Sequence, residues 1–467
     1  MPVPHPLETR GTDPQRGLGP VQMFTFGFGT IVGIAWVVLM GQLLAQAGLA
    51  GAFLGLTIGA ALIASIGYCY AEMGARFPLA GGEVAYAREV YGTGASNLIG
   101  WFLLLSCVLV CGFEMVSVGW LMSQLWPQAA HTRMYTVLGE DVYLEPLLAS
   151  VAIQVLIAAA NHHGAEGAGR LQAITTMGKL ILSAAFILAG LHAARLVNSR
   201  PLFVTDSTGS AVPGVISVIT IAPFWFSGFN AIAQTLGERS GRISATRGAR
   251  LILISLAAAW VFYSLVLFSM TLVLPRQTLL SHPLPTAAAF QAAFQSPLIG
   301  NAVLFAALLG LVSTWNALFF SATRVLFVLA RDRFVSGIFR VTHPRYGTPT
   351  VAIAAVSLLI LACALLGRAV IGPILSLFSV VMAGIYATVC CGVILLRRRD
   401  RATFASASKV LLPWLALGAC AIIAGFASLE PLRNWNNGRW PIEWFVLLAW
   451  TGCGVGLARG TTPGALE

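Results

Sequence analysis

Twelve runs of apolar residues, each long enough to cross a hydrocarbon core roughly 30 Å thick, confine this chain to one kind of architecture, a bundle of helices in a bilayer. They lie at 21–47, 51–71, 96–125, 143–160, 171–193, 214–237, 249–274, 298–328, 349–366, 371–396, 410–428 and 441–458. Of the 467 residues, 57% are hydrophobic and 10% charged, which excludes a water-soluble enzyme and predicts an all-α polytopic membrane protein.

Two of the runs are interrupted where a span is normally continuous. Glycines break the first in GFGTIVGIAW, Gly27 to Trp36, and Pro223 with Ser227 and Gly228 breaks the sixth. A backbone inside a membrane must satisfy its own N–H and C=O groups, so a broken helix is tolerated only against protein or a solvated cavity. Spans 1 to 5 (21–193) and spans 6 to 10 (214–397) hold the same odd number of helices, and an odd repeat inverts its partner. Each half opens with a discontinuous helix, 1 or 6, so the two breaks meet near the midplane from opposite directions, as in a transporter with a central site. Residues 1–20 form a leading segment, and 410–458 supply spans 11 and 12 outside this five-plus-five inverted repeat.

The net charge of +11 does not indicate nucleic acid, because the basic residues sit in the connections. Of the 28 lysines and arginines, 20 fall on one face, 7 on the other, and Lys179 lies within a span. The positive-inside rule places the richer face, and with it both termini, in the cytoplasm of a multi-pass cell-membrane protein. The segment before Val21 lacks an apolar stretch followed by a small-residue cleavage site, so no signal peptide is expected. The eight cysteines show no metal-type spacing and read as small packing residues; neither metal nor cofactor is expected. The connection from Ala71 to Gly92 reads as a turn and a short interfacial helix. That between spans 7 and 8, with Pro275, Pro283 and Pro285, reads as an ordered outer segment.

Few groups in the spans carry chemistry. Lys179, one of two lysines, lies eight residues from the start of span 5 and so roughly 12 Å deep. An ammonium held there can grip the carbonyls of the unwound part of span 1 and release them on losing its proton, which couples movement to protons. The plainer alternative is a lysine snorkelling to the interface. Glu114, in span 3, is the one acidic residue well inside an apolar run. It can pair with a substrate ammonium or carry a proton, or it is a structural acid hydrogen-bonded to a neighbouring helix. Amides at the first break, around Gly33, can hold a substrate carboxylate, while freed carbonyls of Ile31, Phe224 or Ser227 can accept from an amine. Isolated glycines otherwise serve close helix packing. Trp36, Phe224, Trp225, Phe226 and Trp315 can close a pocket over an organic cation, although aromatics in spans are usually packing residues or anchors. GFGTIVG is not a nucleotide loop: it departs from GxGxxG and has no preceding strand.

From about Gly17 to Arg401 the chain resembles the amino acid–polyamine–organocation superfamily of secondary transporters. The resemblance is carried by GFGTIVG, by YAEMGARFPLAGGEVAYAREVYG (Tyr70 to Gly92) and by NHHGAEGAGRLQAITTMGK (Asn161 to Lys179). FWFSGFNAIAQTLGE (Phe224 to Glu238), TRVLFVLARD (Thr323 to Asp332) and HPRYGTP (His343 to Pro349) follow in the same order. The resemblance implies a twelve-span inverted-repeat fold of the LeuT type and uptake or exchange of amino acids or related amines. It also implies that Lys179 stands where many members keep a lysine in place of a bound sodium ion. The chain departs from the pattern at Ile34-Ala35, where members usually have a small residue and a glycine, and at Asn230, which replaces a common acid in span 6.

The expected function is a secondary active transporter, proton-coupled or exchanging, for a cationic or amine-bearing substrate. Its expected substrate contacts are Ile31, Gly33, Ile34, Ala35, Trp36, Glu114, Phe224, Ser227, Gly228 and Asn230, with Lys179 for the proton. An amine sensor or channel on the same scaffold is the alternative. A membrane enzyme is disfavoured, since no nucleophile–base pair lies near either break. A cysteine replacing Asp206, in the loop before span 6, is expected to react with an impermeant maleimide from outside intact cells. Reaction only from the cytoplasmic side would reverse the topology.

Overall fold

The computed structural model describes residues 18–460 apart from 80, 126–127, 129–131, 138, 242, 283, 400–406 and 437–440. Most of the leading segment, together with Pro283, Arg242, Arg401 and Arg439, therefore lies outside the described residues. Among the described residues, ten helices are long and apolar enough to cross a membrane, and Thr350–Leu365 and Ile442–Leu457 are two shorter apolar ones.

The first span is α1 (Pro20–Ile31) and α2 (Ala35–Val38) followed by the start of α3 (Met40–Arg76). Pro20 occupies the first turn, and the Gln22 side chain accepts the Gly19 N–H at 2.8 Å, so this end is capped without an Asp or Ser. α3 bends sharply at Gly48, whose φ of 73° suits glycine, and continues as the second span. A short helix, α4 (Glu83–Tyr91), leads into α5 (Thr93–Leu125). α4 is amphipathic, as expected, but its apolar side is buried against protein, with Val84, Tyr86, Ala87 and Val90 inside.

A feature the all-α expectation lacks comes next. β1 (Arg133–Val137) and β2 (Glu140–Tyr143) form an antiparallel hairpin before α6 (Leu144–His162). Its alternation is short and polar, which hides it between two apolar runs. α7 (Ala165–His192), α8 (Val212–Phe226), α9 (Asn230–Thr235) and α10 (Ala245–Val273) follow. The connection to α13 (Pro297–Arg331) contains two short helices, α11 (Arg276–Ser281) and α12 (Pro285–Phe294), so this segment is ordered. α12 is seated on α2: the Thr286 hydroxyl donates to the Trp36 carbonyl at 2.9 Å. α14 (Thr350–Leu365), α15 (Ile371–Arg399), α16 (Ala407–Asn436) and α17 (Ile442–Gly460) complete the chain.

The second break is displaced from where Pro223 points. α8 stays helical through Pro223 to Phe226, and the interruption is Ser227 to Phe229. In a membrane a proline costs one hydrogen bond that neighbouring groups can replace, so it need not end a helix. The two broken helices run antiparallel. Leu18, before α1, pairs with Arg239, after α9, and Ser240 N donates to Leu18 O at 3.0 Å. At the opposite face Val204 N donates to Ala47 O at 3.1 Å and Ala50 N to Leu202 O at 2.8 Å.

Around this pair the helices pack through small residues. Gly51, Gly55 and Gly59 form a stripe at four-residue spacing along α3, and it faces Val215, Val218 and Ala222 of α8. On the arginine-rich face, Arg397 of α15 pairs with Glu72 of α3, and Arg88 of α4 with Asp332 after α13. α5 is buried along most of its length, whereas α6 and α16 turn much of theirs outward. At Gly59 an added Cβ would lie 2.1 Å from the Ala222 Cβ. Gly59→Leu is expected to destabilise the α3–α8 contact by about 1–3 kcal/mol, as overpacking typically does. A lower apparent Tm in detergent than for Gly418→Leu, whose Cβ would meet nothing within 4 Å, is the expected measurement.

Candidate functional site

Where α1 ends, its last carbonyls lose their helical partners, and three other helices supply replacements. The Gly29 carbonyl accepts from Lys179 Nζ of α7 at 3.3 Å, and from Ser313 Oγ and Thr314 Oγ1 of α13 at 3.0 and 3.3 Å. The Val32 carbonyl accepts from the same ammonium. The Ile31 carbonyl accepts the Tyr263 hydroxyl of α10 at 2.8 Å, and Thr314 Oγ1 also reaches the Thr30 carbonyl at 3.4 Å. Lys179 is 0% exposed and lies 3.2 Å from Ser313 Oγ and 6.0 Å from the centre of the Phe28 ring. Its ammonium is directed at backbone oxygen in the interior, not outward along the span.

Glu114 of α5 approaches the same break from the other side. It is buried, an added Cβ at Gly33 would lie 3.3 Å from its Oε1, and among the described residues its Oε2 has no hydrogen-bond partner. The Gly33 backbone is tightly held: its N–H donates to Ile31 O at 3.2 Å, and its carbonyl lies 2.6 Å from where a Gly310 Cβ would be.

The second break meets the first at Gly228. This residue has φ 100°, and an added Cβ would lie 2.7 Å from Thr30 Cγ2 and 2.9 Å from the Thr30 carbonyl carbon, so the close approach requires glycine. A small cavity of about 30 Å³ lies at the meeting point, lined by Thr30, Ser106, Cys107, Ser227, Gly228, Asn230 and Thr314 with a few apolar side chains. It is too small for an amino acid, so the site is closed around its own walls. A cavity of about 220 Å³ lies below it on the arginine-rich face, lined by α4, α9 and α13. Another of about 360 Å³ lies between the β hairpin, α5, α6 and the end of α14.

The expected substrate contacts are thus divided. Ser227, Gly228 and Asn230 line the small cavity, while Gly33 and Glu114 lie beyond Thr314. Ile34 and Ala35 are buried at the start of α2, and Trp36 packs edge-on against Phe262, 5.7 Å between ring centres. Phe224 packs on Phe113, and its carbonyl already accepts the Ser227 hydroxyl at 3.1 Å. The carbonyl of Ile31 is likewise occupied, by Tyr263. Trp225 and Phe226 are buried against Tyr263, and Trp315 is buried with its carbonyl facing the Cys111 thiol. Thr30, Ser106, Ser313, Thr314 and Tyr263 are not among the expected site residues, and Cys107 is expected only as a small packing residue. A signal for two of them exists in LGLVSTWNALFF, Leu309 to Phe320, where three polar residues interrupt an apolar run and must find partners inside it.

A polar chain steadies this arrangement from behind. Asn161 Nδ2 donates to Asn316 Oδ1 at 3.0 Å, Asn316 Nδ2 to Gln172 Oε1 at 3.1 Å, and Gln172 Nε2 to Thr25 O at 3.4 Å, linking α6, α13, α7 and α1. Among the described residues no group of three or more His, Cys, Asp or Glu is placed to hold a metal ion.

Residues 18–450 match the family described as amino acid permease. The methylthioribose transporter of Bacillus subtilis is 23% identical over 433 residues, 89% of this chain and 90% of its own length. A branched-chain amino acid permease of the same organism is 26% identical over 348 residues, 72% of each chain. The human cationic amino acid transporter 4 is 28% identical over 375 residues, 77% of this chain and 57% of its own.

Proposed function

Because this chain belongs to the amino acid permease family of membrane transporters, we propose that it moves amino acids or related amines across the cell membrane by alternating access, with proton coupling or exchange. In this reading the twelve apolar helices form a five-plus-five inverted repeat with two further spans, and both termini are cytoplasmic. The antiparallel course of the two broken helices supports the repeat. A central cavity too small for an amino acid, with a larger cavity between it and the arginine-rich face, supports alternation over an open channel.

The observation that carries the proposal is the grip of Lys179 on Gly29 and Val32. As an ammonium, Lys179 donates to both carbonyls; as a neutral amine it loses the charge that makes these bonds strong. Span 1 is then freed to move, and its position follows the proton. Substrate enters at the meeting of the two breaks, where Ser227, Gly228 and Asn230 face Thr30 and Thr314, with Gly33 and Glu114 beyond them. The relatives are named for branched-chain and cationic amino acids and for methylthioribose, which leaves the preference of this chain to its own residues. Glu114, a buried carboxylate with one oxygen unpartnered, favours a cationic substrate or one carrying an amine.

Lys179→Ala is expected to abolish proton-driven accumulation in proteoliposomes, and Lys179→Arg to fail to restore it, because a guanidinium does not deprotonate at working pH. Undiminished accumulation by the alanine variant, with the wild-type pH dependence, would remove Lys179 from the coupling. Glu114→Gln keeps the shape and removes the charge. Uptake of lysine or putrescine should weaken about tenfold more than that of alanine, equivalent to about 1.4 kcal/mol of differential binding. Equal losses on all three would refute charge selection. Saturable counterflow of labelled substrate separates the transporter from a channel or a sensor.

A further inference from the structure

A second buried carboxylate stands between the closed cavity and the arginine-lined one. Glu83 opens α4, in the connection after the second span, and is 0% exposed. Its Oε1 accepts Asn230 Nδ2 at 2.7 Å and the Tyr70 hydroxyl at 3.1 Å, and its Oε2 accepts Gln234 Nε2 at 3.2 Å. Gln234 Oε1 accepts the Ser321 hydroxyl, and the Gln234 carbonyl accepts the Gly81 N–H at 3.1 Å. Asn230 lines the small cavity, whereas Gln234 and Ser321 line the larger one. The cluster is therefore the partition between the two, and it ties together α3, α4, α9 and α13.

Among the described residues the titratable groups that face Glu83 are Tyr70 of α3, Tyr86 of α4, Cys107 of α5 and Tyr386 of α15, none of them a cation. α9 and α13 present amides and a hydroxyl. Past the partition the surroundings change sign: Arg88, Arg324 and Arg331, with Glu89, line the larger cavity. Burial pushes the Glu83 carboxyl up, against the pull of its hydrogen bonds to Asn230, Gln234 and Tyr70.

We infer that Glu83 is the proton-binding latch of this partition, protonated while the partition is closed and ionised when opening exposes it to the arginine-lined cavity. On opening, the carboxyl O–H bond breaks, the proton passes to water of that cavity, and the carboxylate remains facing guanidinium groups. In the closed form the Gln234 amide turns over, its oxygen accepts the carboxyl O–H, and its Nε2 donates to Ser321 Oγ, whose own O–H turns to the Cys107 sulfur. A group that binds its proton more tightly closed than open stabilises the closed form at low pH, and that stabilisation is lost as pH rises. The inference deepens the transporter reading and rests on it, since it assigns proton release to the step that opens the site toward the arginine-rich face.

Hydrogen exchange of the α9 amides in the purified full chain, corrected for the intrinsic rate at each pH, reads the partition without any substrate. Wild-type α9 should lose about tenfold in protection between about pH 5.5 and about pH 8, while α10 stays unchanged. Glu83→Gln, permanently neutral and of the same shape, should keep the low-pH protection throughout. Wild-type protection that is flat, or that rises with pH, overturns the latch. So does a Glu83→Gln protein that retains the wild-type pH response. If the variant fails to fold, Lys179→Ala decides: an α9 pH response that survives there supports the latch, and one that disappears belongs to Lys179 and overturns it. Counterflow with labelled amino acids judges the transporter reading separately, so a failure there is distinguishable from a failure of the latch.

Discussion

The carbonyls released where α1 unwinds are the debt on which this structure turns. Nothing in a bilayer hydrates them, and a break that left them unpaired would cost several kcal/mol for each group. Lys179, Ser313, Thr314 and Tyr263, from three helices far apart in sequence, converge on Gly29 to Val32 to satisfy them. The same convergence fixes the relative positions of α7, α10 and α13. A cation in the interior is tolerated because its partners are backbone dipoles that themselves need a donor. The break and the lysine thus depend on one another, and neither is stable alone.

A second constraint is space. Gly228 brings the two breaks into contact, and the Gly51, Gly55 and Gly59 stripe brings α3 against α8, so that backbone approaches backbone where larger residues would hold the helices apart. Close approach makes the central cavity small, and polar groups lining it are already partnered elsewhere: Thr30 and Ser227 donate to carbonyls of their own helices, Ser106 to Leu103 O and Thr314 to Gly29 O. Asn230 illustrates this: it forms one wall of the cavity while donating to Glu83 behind it. Site and scaffold share residues here.

Much of this is legible in the sequence, for physical reasons. A run of about 20 apolar residues has one fate in a membrane, so the helices can be read with little ambiguity. A lysine or glutamate in such a run is visible because it is expensive there, and Lys179 and Glu114 stand out for that reason. Of the residues expected to break the sixth span, Ser227 and Gly228 do so, whereas Pro223 is accommodated within a membrane helix. Ser313, Thr314 and Tyr263 are hard to read because hydroxyl groups are common in spans and the rotational phase of a helix is not written in its composition. Glu83 is hidden for the opposite reason. It stands among charged residues in a connection, where carboxylates are usually hydrated, and only the folding of α4 against α5 and α15 buries it.

The antiparallel pair of broken helices is joined in three places: at Leu18 and Arg239 near one face, at Thr30 and Gly228 in the middle, and at Ala47 to Ala50 with Leu202 to Val204 near the other. A ladder with rungs at both ends and the centre resists shear between its rails, because sliding by one residue would break backbone hydrogen bonds at two rungs at once. It offers much less resistance to tilting as a single plank. Displacing one rail therefore means carrying the other with it, and the contacts left at the borders of the pair are chiefly those of side chains from α7, α10 and α13 on the α1 backbone.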